Sequence, residues 1–125
     1  MSDKYKEWFK QADYDMETAE VMYRGGRYFY AVFMCHLSIE KALKGLSHKI
    51  LGEVPPKTHN LLLLLDKSGK KPDPEKEKFI IKLNTASVVT RYPDDLAKIQ
   101  AVYSKEIAIN FIQQSQGVLE WIKRQ

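Results

Sequence analysis

Apolar residues return every third or fourth position along most of the chain, and nothing alternates with a period of two over a useful length. That pattern predicts helices and no strands. In residues 3–24 the series Tyr5, Trp8, Phe9, Ala12, Met16, Ala19, Met22 and Tyr23 marks a first amphipathic helix, which Gly25-Gly26 stops. A second helix is expected from Arg27 to Leu51, ended by Gly52 and Pro55-Pro56. Thr58 can cap a short third helix through HNLLLLLDK, whose leucines require burial, and SGKKPDPEKEK reads as a polar loop. Asp73-Pro74-Glu75 brings a capping side chain, a first-turn proline and a carboxylate together at a helix start. The fourth helix carries FIIKLNTASVV and must end before Pro93. After RYPDD and a short connection, Ser104 can cap a last helix to Lys123, with Ile107, Phe111, Val118 and Ile122 on one side and Ala108, Ile112 and Leu119 beside them. The fold class expected is an all-α, up-and-down bundle of four main helices plus a short one, in one domain spanning residues 1–125.

The second helix holds polar residues that a core does not explain. At roughly 100° per residue, with His36 at zero, Tyr28, Val32, Cys35, Ile39, Ala42, Leu43, Leu46 and Ile50 fill the arc from about −120° to −20°. His36, Glu40, Lys44 and His48 form a continuous polar line beside that arc, and side chains four apart are neighbours. His36 lies at the core boundary, where a half-buried neutral imidazole held by a hydrogen bond is expected. Phe33 and Leu37 share the polar face, so either another helix covers them or a second copy of the chain does. A homodimer is expected, with internal packing the competing reading.

Length and composition add bounds. With 125 residues there is room for one core, and no apolar run nears the roughly 18 residues a bilayer span needs. The charged, helix-like start MSDKYKEWFKQ lacks an apolar leader, so a cytoplasmic protein with no membrane association is expected. Cys35 is the sole cysteine, which excludes an internal disulfide and a cysteine-based zinc site, and its place on the apolar arc reads as core. The net charge of +4 concentrates between residues 25 and 71, a balance that permits an anionic ligand without demanding one.

Glu40 and Lys44 make an ordinary helix ion pair on the plainest reading. A di-iron bundle needs histidine three residues after a glutamate on two helices, and Leu43 stands there after Glu40, so no metal is expected. His59, in KTHNL, is either a capping histidine or a site residue. Arg91-Tyr92-Pro93-Asp94 breaks out of a helix with a guanidinium, a phenol and a carboxylate on a rigid turn. It serves as a helix stop with a surface ion pair or as an anion site, since the arginine fork suits phosphate oxygens. Glycine-rich phosphate loops and a Ser/His/Asp order are absent.

Taken in order, GGRYFYAVFMCHLSIEKALKGL, KTHNLLLLL and TRYPD between aromatic-rich and amphipathic helices resemble the HEPN family, the nucleotide-binding domain of higher eukaryotes and prokaryotes, in its small single-domain prokaryotic branch. The ordered set HxxxEKxxK, THNL, RYP carries the likeness over essentially the whole chain. The resemblance implies a dimeric bundle of four long helices with a polar cleft. It places His36, Glu40, Lys41 and Lys44 from the second helix, His59 from the KTHN turn, and Arg91, Tyr92 and Asp94 from the RYPD turn at a ligand site. It further implies a nucleotide or other phosphate-bearing ligand, no cofactor, and a minimal nucleotidyltransferase as partner in a toxin–antitoxin-like module, with Tyr92 the candidate for modification by that partner. RNA is a further candidate ligand.

HEPN ribonucleases carry an arginine followed, after four to six residues, by a histidine. Here no histidine follows Arg91, and His36 stands eleven and eight intervening residues beyond Arg24 and Arg27. The leading expectation is therefore a nucleotide-binding module that pairs with a nucleotidyltransferase. The alternatives are a metal-independent endoribonuclease in which His36 or His59 replaces the missing histidine, and a purely structural dimeric interaction bundle.

Overall fold

A computed structural model describes residues 3–125 as six helices: α1 (Lys4–Arg24), α2 (Tyr28–Leu51), α3 (Leu61–Ser68), α4 (Pro74–Arg91), α5 (Leu96–Val102) and α6 (Lys105–Lys123). No strand occurs among the described residues, and none of their helices is long and apolar enough to cross a membrane. The expected starts of α4 and α6 hold, because Asp73 accepts from the Lys76 amide and Ser104 from the Ile107 amide. Gly52 and Gly69 end α2 and α3 with φ of 69° and 71°, a left-handed region closed to most side chains.

Three local expectations change. Asn60, not Thr58, caps α3, accepting from the amides of Leu62 and Leu63, while the Thr58 hydroxyl accepts from the Asn60 amide. Leu61, Leu64 and Leu65 are buried, but Leu62 and Leu63 face outward because eight residues of helix offer only one face to the core. The connection after RYPDD is itself a helix, α5, capped by Asp95 and holding a single buried residue, Ile99. Seven residues with one core contact are too few to show a period.

Helix α2 is the axis of the molecule, and each of the other five helices packs on it. Val32, Cys35, Ile39, Ala42, Leu43 and Leu46 from the expected arc are fully buried, whereas Ile50 and, on α6, Ile107 lie beyond the ends of the core. Helices α1 and α2 approach closely at Gly45, where a Cβ would stand 2.8 Å from Trp8 Cβ. The Ser38 hydroxyl donates to the Ala12 carbonyl at 2.7 Å across the same interface. Phe33 and Leu37 are half-buried within the chain: the Arg91 guanidinium lies 5.1 Å from the Phe33 ring centre. Apolar surface is left open on α4 as well, where Ile81 and Val88 are exposed along one face.

Candidate functional site

Glu40 is the centre of the polar line on α2. Its carboxylate is 3% exposed and collects partners from two directions. Lys44, one turn on, donates from Nζ to Oε2 at 3.0 Å, and His59 Nδ1 meets Oε1 at 2.9 Å from the loop before α3. An ionised carboxylate only accepts, so Nδ1 carries the His59 proton and Nε2 is left as the basic nitrogen of a largely exposed ring. The Lys44 ammonium also lies 6.0 Å from the Trp8 ring centre.

The loop that presents His59 is clamped from α4. Asn84 Oδ1 accepts from the Leu61 amide at 2.8 Å, and its Nδ2 donates to Asn60 Oδ1 at 3.3 Å. Asn60 and Asn84 are positioning residues that sequence reasoning passed over. The signal available was an asparagine in the middle of the largely apolar helix FIIKLNTASVV.

His36 was expected half-buried and hydrogen-bonded; it is fully buried, and neither ring nitrogen has a hydrogen-bond partner. Its Nδ1 stands 3.8 Å from Glu40 Oε1, and the His59 main chain faces it as well. Burial pushes the imidazole down to about 4 despite Glu40 and the His59 main chain, with the charge of Arg91 and the His59 ring adding to the fall, so the ring is neutral at ordinary pH. Arg91, the last residue of α4, acts on the His36 ring through its charge, and it forms no ion pair among the described residues.

The remaining candidates lie elsewhere. Lys41 turns to α1, where its Nζ meets the buried Asp15 carboxylate at 2.9 Å. Tyr92 is 74% exposed and, with Asp94, lines a groove against α5 rather than the Glu40 cluster. Cys35 is core, its thiol pushed up to about 12 by burial. No group of His, Cys, Asp and Glu arranged to hold a metal ion occurs among the described residues. The structure therefore joins His36, Lys44 and His59 around the buried Glu40 carboxylate, with the Arg91 charge acting on His36 from the end of α4.

The model of the HEPN domain family matches residues 5–125. Among solved structures, TT1696 from Thermus thermophilus superposes with a TM-score of 0.81 at 25% identity, over 98% of each chain. ST0689, described as an archaeal HEPN homologue, gives 0.77 at 27% identity over 98% of this chain and 97% of that one. No curated protein matches the chain.

Proposed function

The chain belongs to the HEPN domain family, and from that premise we propose that it binds a phosphate-bearing nucleotide at the Glu40 cluster. The observation carrying this reading is Arg91, a guanidinium that has no carboxylate partner among the described residues and whose charge acts on the His36 ring beside Glu40. A phosphate there gains a bidentate arginine contact and a histidine donor, while Glu40 holds both His59 and Lys44 in place. On this reading the partner is a minimal nucleotidyltransferase in a toxin–antitoxin-like module, and the protein is a homodimer. Tyr92 is the residue it modifies; its exposed phenol, one position beyond Arg91, supports that role. The apolar face of α4 supports the dimer.

Calorimetric titration with ATP and AMP tests the binding. Arg91→Ala is expected to weaken affinity about tenfold or more, the worth of a charge-assisted contact. Equal affinity in the variant rejects the site. Incubation with the transferase and ATP should add nucleotidyl mass to the chain and none to Tyr92→Phe.

One observation favours a second reading, a metal-independent endoribonuclease. The Glu40–His59 pair leaves Nε2 basic and outward, as a base for an RNA 2′-hydroxyl requires, with Arg91 near to stabilise charge on phosphorus. His36 is too buried for that task. Cleavage in chelator that leaves cyclic phosphate ends, and that His59→Ala and Arg91→Ala both abolish, would establish it. Intact RNA would remove it.

A further inference from the structure

A surface histidine ordinarily gains rotamer freedom by letting go of its neighbours. His59, with a side chain 63% exposed, is instead held at three points. Its Nδ1 meets the buried Glu40 carboxylate at 2.9 Å, its main chain faces the His36 ring, and the turn that follows it is fastened by Asn84.

The third point comes from outside the turn. An N-cap side chain serves the amides two and three positions on, and Asn60 takes those of Leu62 and Leu63 in this way. Its carbonyl accepts from the Leu64 amide at 3.2 Å. The Leu61 amide is beyond the reach of that cap, and Asn84 Oδ1 takes it from α4 at 2.8 Å. The Asn84 side chain also donates from Nδ2 to Asn60 Oδ1 at 3.3 Å, tying the cap to the same helix. A local cap fixes a helix start only against itself, whereas these two bonds fix the start of α3, and with it His59, against α4. Arg91 stands seven residues beyond Asn84, two turns along nearly the same face. One helix therefore sets both the turn bearing His59 and, about 10 Å along its axis, the guanidinium whose charge acts on His36.

We propose that Asn84 is a positioning residue for His59. Through the Leu61 amide and the Asn60 side chain it holds the imidazole in the tautomer that keeps its proton on Nδ1, against Glu40. Nε2 is then turned outward, where it accepts a proton and presents it to a ligand oxygen. This role presupposes the ligand reading of the Glu40 cluster. Without Asn84 the residues Glu40, Lys44 and Arg91 remain, but the turn drifts and the ring reverts toward the proton on Nε2 that a free histidine prefers.

Imidazole nitrogen NMR of the ligand-free full chain, at alkaline pH where the ring is neutral, tests the proposal. The parent should show His59 with its proton on Nδ1, and Asn84→Ala should move it toward Nε2. Asn84→Asp keeps an acceptor for the Leu61 amide, with a charge suited to a helix start, and should retain the parent's tautomer. A role in stability alone would lower the Tm of Asn84→Ala and leave the tautomer where it was. Should Asn84→Ala not fold, Asn84→Ser, whose hydroxyl falls short of the Leu61 amide, decides in its place. Calorimetry with AMP should then show the folded variant about fivefold weaker or more. The proposal is overturned if the variant keeps the parent's tautomer, or if the parent ring carries its proton on Nε2. Because the tautomer is read without ligand, a parent that fails to bind AMP defeats the ligand reading separately.

Discussion

His36 and Glu40 stand one turn apart on α2 and meet burial in opposite ways. Glu40 is met by Lys44 and His59; His36 is fully buried, and that burial holds its ring neutral. A histidine held near 4 when folded and near 6.5 when free takes up its proton first in the unfolded chain. Its contribution to stability is therefore complete above pH 6.5 and is lost as pH falls through 6.5 toward 4, roughly 3 kcal/mol in all. Urea unfolding across that window should show His36→Leu losing less stability than the parent, by up to one proton's worth of slope; parallel curves would refute this. Glu40→Leu strands the Lys44 ammonium, whose side chain is 12% exposed. The expected loss is roughly 2–3 kcal/mol by urea unfolding, below the cost of a fully buried pair because Lys44 and His59 can turn to water. A variant as stable as the parent would show that neutral packing replaces the pair.

At the scale of elements, the closest approach in the fold sets the sharpest expectation. Gly45→Ala gains helix propensity, but its methyl meets Trp8 Cβ at 2.8 Å and the Phe9 ring at 3.0 Å, so α1 must shift to admit it. A net loss of about 1–3 kcal/mol is expected. Gly117→Ala on α6 meets nothing within 4 Å and should gain about 0.5–1 kcal/mol. Opposite shifts in Tm check the pair; a Gly45→Ala variant melting at or above the parent would refute the close contact. The long helices were legible because their apolar residues recur at helical spacing, and because Asp73 and Ser104 are caps that need no tertiary help. The same period put His36, Glu40 and Lys44 together in advance. It could not say that Lys41 turns away to Asp15, or that His59 arrives from 19 residues along the chain, since those are facts of packing between elements. Helix α5 and the Asn60–Asn84 clamp stayed hidden for the same reason: one buried residue makes no pattern, and two asparagines 24 apart have no local signature.

For the whole molecule, the open question of association moves from α2 to α4. Phe33 and Leu37 are half-buried within the chain, while Ile81 and Val88 lie on a face of α4 that the chain itself does not bury. Should the proposed homodimer use this face, Val88→Lys, at a position 67% exposed, is expected to give a monomer by sedimentation with its helicity unchanged. A variant with the parent's mass would remove α4 from the interface, and a monomeric parent would remove the dimer.

The two walls of the Glu40 cluster differ in how firmly they are tied down. Helix α2 is packed by every other helix, so its central amide protons should exchange with deuterium only when the whole molecule opens. Arg91 leads straight into a turn and then α5, which Ile99 alone anchors. That segment should exchange many times faster, through local opening. The site thus pairs an inelastic face bearing the carboxylate with a yielding edge next to the guanidinium, and a ligand that recruits Arg91 would register as slowed exchange in residues 92–102.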